Sequence, residues 1–395
     1  MKGVFVSDPH IGDYPYGRTD TDTGLNTRLL DTLNNLDQTI DYAIEKKVDV
    51  FVIAGDIYRV KNPTSKVRKP LAARLKRIIK ANISTILMTG NHDMTISSDG
   101  AHAMSEMEEL ADLIDGLKVV SVPSSIVVDN TRLFLLPFVN RGNEGLLTVQ
   151  QMTEYQNQKI LEFNKTDCDE KYKIFFGHFG TDKSVMGNSF DLDMSDDENE
   201  NKVRLSAFDD GNWTKVYLGH IHKQQEFNKI ARHIGSTSRI DFAEEHEEKG
   251  FYYFENGKDQ FVTIKDRKFK TLKVNLTTED CKTQLTEFEA NVQKLELSDT
   301  IVRIKADILQ TYMPTIKFDH LESHLRAHTW HFSGIDYNII SDESAINGEK
   351  ITSTDLPNDA LKKYIDQHPE RFKGIDDVAY DIGCQILKTA REDQV

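Results

Sequence analysis

Short apolar runs alternate with longer stretches of helical periodicity over the first 270 residues. Five runs are rich in β-branched and aromatic residues, as buried strands are; they are residues 4–6, 50–53, 83–88, 174–176 and 216–218. Apolar residues at helical spacing predict helices over about 29–44, 63–80, 101–114 and 149–163. Further strands are predicted near 118–122, 126–128, 132–137, 251–254 and 261–264. This interleaving predicts an α/β fold, a β-sandwich flanked by helices rather than a regular Rossmann repeat.

The pattern changes beyond residue 270. A strand over 300–305, a helix over 316–327 and a strand over 335–340 predict a small α+β cap, and turn-forming residues at 347–348 and 356–358 mark a break. Two helices, over about 359–367 and 375–390, then form a tail whose last helix carries the apolar stripe Val378, Ile382 and Ile386. The predicted domains are therefore 1–270, 271–346 and 347–395.

The composition describes a soluble globular protein of 395 residues, with 38% hydrophobic and 29% charged residues. No stretch approaches the ~20 apolar residues of a membrane span, and the first residues enter a strand at once, so no signal peptide is expected. Three cysteines, far apart in the chain, favour a reducing cytoplasm. The formal net charge of -15 argues against nucleic acid as a partner, unless basic residues gather on one face.

Two charged stretches have competing interpretations. The predicted helix over 63–80 is basic along much of its length, as a nucleic-acid face or as an ordinary solvated helix face would be. Pro70 interrupts it and predicts a kink or a late start, because proline has no backbone N–H. Residues 191–200 are acidic instead, and are interpreted as a mobile, solvated loop or as a flap that controls access to a site.

Five polar islands follow the five apolar runs. They are Asp8-Pro9-His10, Gly55-Asp56, Gly90-Asn91-His92-Asp93, Gly177-His178 and Gly219-His220-Ile221-His222. A parallel sheet places its ligand site beyond the carboxyl ends of its strands, so these side chains are expected to meet. One such island is more often a turn or a core histidine, but five in order predict a two-metal hydrolytic site.

The spacing indicates how two ions would be shared. Asp8 and His10 lie two residues apart directly after a strand, so both can turn toward one ion. The two oxygens of Asp56 can bridge both ions. His220 and His222, again two residues apart, can be divided between them.

The remaining donors narrow the choice of metal. Asn91 and His178 offer neutral ligands for a second ion. Imidazole, carboxylate and carboxamide groups without a thiolate suit Mn, Fe or Zn, with Mg less suited to so many imidazoles. We favour Mn by a small margin.

The order Asp-x-His, Gly-Asp, Gly-Asn-His-Asp, Gly-His, Gly-His-x-His is similar to that of the calcineurin-like metallophosphoesterases. Within them the chain resembles the SbcD-type nucleases, the nuclease subunits of DNA double-strand-break repair complexes, and most of all their phage versions. The segments that carry this closer resemblance are Ala54-Gly55-Asp56-Ile57-Tyr58, Gly235-Ser236-Thr237, Arg239, Phe242, Glu244, Lys249-Gly250-Phe251 and Val302-Arg303-Ile304. The resemblance is specific through about residue 255 and looser beyond it.

The resemblance implies a role for each residue of the islands. Ion one would be bound by Asp8, His10, Asp56 and His222, and ion two by Asp56, Asn91, His178 and His220. His92 would face the scissile phosphate and stabilise charge on the leaving oxygen, with Asp93 as its orienting partner. Many family members have a histidine, linked to exonuclease action, where this chain has Arg59. Arginine can bind a phosphate but is a poor acid or base, so the balance of exonuclease and endonuclease action stays open.

The resemblance also implies a function and partners. The implied enzyme is a Mn-dependent DNA nuclease subunit, an exonuclease on duplex ends and an endonuclease, acting in double-strand-break processing, recombination and replication. It would bind an SMC-like ATPase of the SbcC type through its tail, and would lie in the cytoplasm, the host cytoplasm for a phage protein. It would form a homodimer through helices near 64–80 and 101–114.

Three alternatives remain beside this interpretation. The two apolar helix stripes could pack on their own sheet instead of pairing across a two-fold axis. The enzyme could be a phosphoesterase for small molecules or phosphoproteins, which the metal islands alone do not exclude. A non-catalytic scaffold that recruits an ATPase is disfavoured by the complete ligand set.

Overall fold

The computed structural model describes residues 1–94, 101–139, 148–185, 202–341, 357–367 and 372–392. The acidic residues 191–200, the turn at 347–348 and Leu356 lie outside these ranges. The chain divides into two compact units. The first contains Met1–Thr271, Leu297–Val302 and Leu325–Ser333, and the second contains Leu272–Glu296, Arg303–His324 and Gly334–Val395. The three predicted domains remain a prediction.

The described part of the chain forms the following strands and helices. The strands are β1 (Lys2–Val6), β2 (Val50–Ala54), β3 (Ser84–Met88), β4 (Leu117–Val120), β5 (Ser124–Val128), β6 (Thr131–Leu136), β7 (Tyr172–His178), β8 (Gly180–Thr181), β9 (Lys202–Val203), β10 (Lys215–Gly219), β11 (Gln225–Glu226), β12 (Ala231–His233), β13 (Gly250–Glu255), β14 (Lys258–Thr263), β15 (Lys268–Leu276), β16 (Thr300–Leu309) and β17 (His331–Ile340). The α-helices are α1 (Thr27–Lys46), α2 (Ser65–Lys80), α3 (Ser105–Ala111), α4 (Val149–Asn164), α5 (Cys281–Val292), α6 (Asp319–His328), α7 (Pro357–Gln367) and α8 (Asp376–Glu392).

Two six-stranded sheets form the first unit. Their orders are β14-β13-β1-β2-β3-β4 and β11-β12-β10-β7-β6-β5. Strands β1 to β4 pair in parallel in the first sheet, as β6, β7, β10 and β12 do in the second. Each parallel set therefore brings its carboxyl ends to one edge of its sheet. The predicted fold class is confirmed.

The two sheets pack face to face through apolar side chains. The fully buried ring of Phe5 on β1 lies 4.9 Å from the ring of Phe176 and 4.8 Å from that of Tyr217, which both belong to the other sheet. Helices α1 to α3 cover the outer face of the first sheet, and α4 covers that of the second. This arrangement explains the unbroken apolar runs, because each central strand is buried on both faces.

Helix α2 has its predicted extent, whereas α3 does not. Helix α2 begins at Ser65 and continues past Pro70, so the late start was wrong. Helix α3 is shorter than the predicted 101–114. The chain before it forms a turn, in which the backbone N–H of His102 donates to Ser105 Oγ at 2.9 Å and Met94 bridges to His102.

The apolar stripe of α2 lies in the core of its own chain. Val67, Leu71, Leu75 and Ile78 are all buried there. These four side chains are therefore not available to a second copy, and packing on the chain's own sheet is the correct interpretation for them.

The arginines of the basic stretch form ion pairs with carboxylates on neighbouring helices. Arg74 and Arg77 each lie 2.6 Å from the carboxylate of Asp37 on α1, and Arg68 lies 2.7 Å from Glu106 on α3. These contacts favour a structural role for the arginines of α2 over a nucleic-acid face.

The second unit contains α5, α7, α8, most of α6 and most of the sheet β15-β16-β17. Strand β15 and helix α5 were not predicted, whereas the tail helices α7 and α8 are confirmed. Gly383 of α8 lies so close to α7 that an added Cβ would be 2.5 Å from Leu361. The stripe of α8 is exposed, with Val378 at 59%, Ile382 at 53% and Ile386 at 64%. Within the described ranges, no helix combines the length and apolar character needed to cross a bilayer.

We expect Gln156→Met to stabilise the protein. Gln156 on α4 is fully buried, and neither amide atom has a hydrogen-bond partner within the part of the chain that the structure describes. A buried unpaired polar group costs about 1–3 kcal/mol, so methionine should raise the free energy of unfolding by ~1 kcal/mol. Chemical denaturation measures this, with Gln158→Met on the exposed face of α4 as the control. A loss of stability would show that the amide has a partner.

Candidate metal centre

The predicted ligands all lie at the carboxyl ends of parallel strands. Asp8 follows β1 and Asp56 follows β2, while Asn91 lies beyond β3. His178 is the last residue of β7, and His220 comes directly after β10. The structure thus brings together groups that lie more than 200 positions apart in the sequence.

One cluster contains Asp8, His10 and His222. The Nε2 atoms of the two histidines are 2.9 Å apart, and one ligand atom from each of the three residues lies within 4.8 Å of the others. The hydroxyl of Ser7 and the backbone N–H of His220, at 3.1 Å, donate to the Asp8 carboxylate. Those two hydrogen bonds fix the carboxylate beside the histidines.

A second cluster contains Asn91, His178 and His220. Asn91 Oδ1 lies 3.1 Å from His178 Nε2 and 3.0 Å from His220 Nδ1. The other ring nitrogen of His178, Nδ1, lies 2.9 Å from the carbonyl oxygen of Ala54. A carbonyl only accepts, so this Nδ1 donates its hydrogen.

Asp56 lies between the two clusters. Its Oδ2 is 3.5 Å from His10 Nε2, and its Oδ1 is 3.3 Å from His178 Nε2. Its side chain is only 2% exposed. The two oxygens of one carboxylate therefore face different clusters, as a bridging ligand requires.

The backbone at the site is held in an uncommon conformation. Asp8, His10, Asp56 and His220 all have positive φ angles, of 50°, 44°, 48° and 82°. Non-glycine residues adopt this region at a cost of about 1–2 kcal/mol each. The loops that follow β1 and β2 are hydrogen-bonded to each other. The N–H groups of Asp8 and His10 donate to the carbonyls of Gly55 and Asp56 at 3.2 and 3.0 Å. The donor atoms are thus placed by hydrogen-bonded backbone.

Burial and neighbouring charges have opposite effects on the pKa values of the site residues. Burial alone would lower the pKa of His178 and His222, but Asp56 and Glu244 respectively outweigh it and raise each pKa to about 9. Burial would also raise the pKa of Asp56, yet His178 and His10 hold it well below its usual value. Burial and the nearby His222 lower the pKa of His10. The buried carboxylates thus keep their negative charge, and they stabilise protons on His178 and His222.

The residues present fit divalent cations. His178 Nδ1 donates to a carbonyl, so in the neutral ring the Nε2 lone pair points at the oxygens of Asp56 and Asn91. Electron-pair donors that converge in this way need a proton or a cation between them. Carboxylate, carboxamide and imidazole groups are the donors that divalent metals bind. The Asp and His groups are therefore placed to bind divalent metal ions.

The structure assigns Asp93 contacts other than the predicted one. Its buried carboxylate accepts backbone N–H groups from Ile57 at 3.1 Å, Tyr58 at 3.0 Å and Gly90 at 3.0 Å. The Nδ1 of His92 instead lies 3.1 Å from the carbonyl oxygen of Arg59. Asp93 thus joins two ligand-bearing loops, and its role as orienting partner of His92 stays a prediction. Burial, together with Asp56, raises the pKa of Asp93 to about 7.

His92 and Arg59 lie beside the first cluster. The ring of His92 is 4.8 Å from that of His10, and His92, His10 and Asp56 are close enough to share an ion. The guanidinium of Arg59 lies 4.4 Å from the ring centroid of Tyr14 and donates to the carbonyl of Asp13. Arg59, in the loop after β2, therefore contacts the loop after β1.

Two contributors were not predicted as such. The Ser7 hydroxyl contacts Asp8, and nothing in the sequence distinguishes this serine from others. Glu244 carried part of the family resemblance but had no assigned role, and its carboxylate lies 2.9 Å from His222 Nδ1. A glutamate 22 positions from its histidine gives no local signal of this contact.

We expect metal affinity to rise with pH. Protons on His178 and His222 must leave before a cation binds, because metal ligands are deprotonated. Since both pKa values are about 9, the apparent affinity should rise by about tenfold per pH unit for each proton displaced. It should level off above pH 9. Calorimetry at about pH 7.5 in buffers of different ionisation enthalpy counts the released protons, and the absence of any release would contradict the assignment.

A two-sheet α/β sandwich with these donors at its strand ends is the architecture of a metal-dependent phosphoesterase. The chain belongs to the calcineurin-like phosphoesterase family, whose family model matches residues 1–224. The predicted calcineurin-like family and the predicted class of enzyme, a metal-dependent phosphoesterase, are thereby confirmed.

Curated relatives refine this assignment. The chain is 24% identical to the SbcD component of the SbcCD nuclease of Staphylococcus saprophyticus, over 67% of this chain and 69% of that protein. It is 26% identical to "DNA double-strand break repair protein Mre11" of Methanocaldococcus jannaschii, over 64% of this chain and 62% of that protein. The Archaeoglobus fulgidus protein of the same name is 24% identical, over 69% of this chain and 61% of that protein. The chain thus spans less than two thirds of the two archaeal relatives.

Proposed function

We propose that this protein is a Mn-dependent DNA nuclease that hydrolyses phosphodiester bonds with two metal ions. The observation that carries the proposal is the position of Asp56, whose two oxygens face two separate donor clusters. The relatives named as part of a nuclease and as DNA double-strand-break repair proteins support DNA as the substrate. The family's cellular roles in break processing, recombination and replication follow as part of the same proposal.

The metal-binding residues divide into two sets. Ion one would be held by Asp8, His10, Asp56 and His222, and ion two by Asp56, Asn91, His178 and His220. When bound, divalent ions lower the pKa of a coordinated water and neutralise the phosphate oxygens during in-line attack. Mn is favoured over Mg because four of these seven residues are histidines.

His92 supplies the proton chemistry in this proposal. Its Nδ1 donates to the Arg59 carbonyl oxygen at 3.1 Å, so Nε2 is the nitrogen that exchanges a proton with the leaving oxygen. Asp93 keeps the loops of Asp56 and His92 in register through its three backbone contacts. Arg59, next to this group, would bind a phosphate of the DNA backbone.

A substrate comparison tests the proposal. End-labelled linear duplex and single-stranded DNA, a nucleotide phosphomonoester and a phosphoprotein are compared in Mn and in Mg. We expect cleavage of DNA in Mn to exceed turnover of the other substrates. Binding of DNA to an inactive variant should also weaken as salt rises, because phosphate contacts release counterions. Faster turnover of the monoester or the phosphoprotein would favour the alternative phosphoesterase.

We also propose a homodimer, through the residues that α2 and α3 leave exposed. A groove of about 560 Å³ lies between these helices and is lined by apolar side chains that include Ile79, Met107, Leu110 and Ile114. Leu110 is 54% exposed and Ile114 is 37% exposed. A two-fold axis would place the same groove on both copies, so each could cover the other. Sedimentation of the wild type against Leu110→Glu measures this, and a monomeric wild type would refute it.

The tail should bind an ATPase of the SMC-like type. Val378, Ile382 and Ile386 lie on α8 and are more than half exposed, which is the pattern of a helix that docks in a groove. Deleting residues from Leu356 onward should leave folding and metal content intact. It should abolish co-purification with the ATPase and any ATP-dependent stimulation of duplex cleavage.

A point variant separates the stripe from the rest of the tail. Ile382→Glu should weaken the complex, whereas Asp377→Ala on the same helix should not. Retention of the ATPase by the truncated chain would show that the stripe serves only packing within the chain.

A further inference from the structure

A buried carboxylate lies directly behind one of the clustered histidines. Glu244 ends a short 3₁₀ turn, Phe242–Glu244, and is fully buried. Its Oε1 lies 2.9 Å from Nδ1 of His222, on the opposite side of the ring from the Nε2 that faces His10. The carboxylate therefore contacts the histidine without belonging to the donor cluster.

The second oxygen of Glu244 is held in place by two donors. Oε2 accepts the backbone N–H of Ile240 at 3.0 Å and lies 2.9 Å from Nζ of the fully buried Lys249. Lys249 also contacts Glu247 at 2.8 Å and donates to the His222 carbonyl at 3.3 Å. The carboxylate thus has one orientation, and its charge is balanced by a buried ammonium.

This contact determines which nitrogen of His222 faces the cluster. A carboxylate only accepts, so Nδ1 of His222 donates its hydrogen to Oε1 and the Nε2 lone pair points at the cluster. His178 is oriented in the same sense by a weaker acceptor, the backbone carbonyl of Ala54 at 2.9 Å. A carboxylate also makes the imidazole a more basic ligand than a carbonyl does.

We propose that Glu244 is the positioning residue for the ion bound by Asp8, His10 and His222, and that Lys249 maintains it as a buried carboxylate. The inference rests on the proposed function only in so far as His222 binds an ion. Glu244 sets the tautomer and the basicity of His222, while the second cluster does not depend on it.

Two double variants differ in one hydrogen-bond acceptor. Glu244→Gln/Lys249→Met removes both buried charges but keeps an oxygen facing Nδ1. Glu244→Met/Lys249→Met removes the charges and the oxygen, with a side chain of similar size. Both should fold, because replacing a buried ion pair by neutral groups of similar volume is often tolerated. Thermal unfolding of the metal-free proteins checks this.

The readout is calorimetric titration with Mn²⁺, without DNA. We expect the wild type to bind two ions, and the Met/Met variant to lose about 10–100-fold in affinity for one of them only. The Gln/Met variant should recover most of that loss. Glu244→Asp, which keeps the charge but withdraws the oxygen from Nδ1, should show the same selective loss if the double variants fail to fold. Glu247→Gln, which contacts Lys249 but not His222, should bind both ions as the wild type does.

The outcomes separate the two proposals. Equal affinities for the Met/Met variant, the Gln/Met variant and the wild type would overturn the role of Glu244 and leave the two-metal site in place. Equal losses at both ions would overturn it as well, since the effect would then be a general loosening. A wild type that binds no Mn²⁺ would overturn the proposed function itself.

Discussion

Asp56→Asn should reduce DNA cleavage more than any other single substitution at the site. Its two carboxylate oxygens face different clusters, at 3.5 Å from His10 and 3.3 Å from His178. Asparagine keeps the size but removes the charge and one of the two oxygen donors, so one ion loses its oxygen ligand and both lose the negative charge that bridges them. The loss of turnover should exceed the ~10–100-fold that follows from removing a group that merely supports a ligand.

Metal titration and single-turnover cleavage check this expectation together. The variant should bind Mn²⁺ weakly at both sites and cleave duplex DNA at or near background. Asp112→Asn serves as the control, because the Asp112 side chain is 86% exposed and lies on the surface. If the Asp56 variant bound two ions with wild-type affinity, the carboxylate would not bridge them.

His92→Ala should separate chemistry from metal binding. In the proposed function His92 exchanges a proton with the leaving oxygen, and such general acid–base groups contribute about 10²–10⁴-fold. Cleavage under chemistry-limited conditions should therefore fall by at least ~100-fold, while two ions remain bound. Asp8→Asn provides the contrast, since it should weaken binding of one ion.

The same pair of variants decides between two roles for His92. The structure places this residue close enough to His10 and Asp56 to share an ion with them. If His92→Ala lost an ion as Asp8→Asn does, His92 would be a ligand. If it kept both ions and near wild-type turnover, it would have neither role.

Much of the site was predictable because each ligand follows a buried strand. An apolar run such as 174–176 predicts a buried strand. The polar residue just beyond the run, His178, is then expected at the carboxyl end of that strand, where the ligand site lies. The order of five such islands then indicates one site. The architecture followed from the same runs, since strands buried on both faces require helices outside a pair of sheets.

The contacts that the sequence could not predict are those made through the backbone or over long separations. Nothing in the sequence indicated that the Asp93 carboxylate accepts three backbone N–H groups, from Ile57, Tyr58 and Gly90. Helix α3 looked longer than it is because Met104 and Ile114 fit its helical stripe, although both lie outside the helix.

Three glycines around His178 leave the space that its ring occupies, and any attempt to transfer this centre to another protein would have to include them. An added Cβ at Gly55 would lie 2.0 Å from the Nδ1 atom of this histidine, one at Gly219 2.7 Å from the same atom, and one at Gly90 2.7 Å from its Nε2. The three residues lie at the ends of three different strands, and each immediately precedes a predicted ligand. A designer who grafted only the carboxylates and imidazoles onto another α/β scaffold would find the space for the ring already filled. The transferable unit is the glycine together with the ligand that follows it.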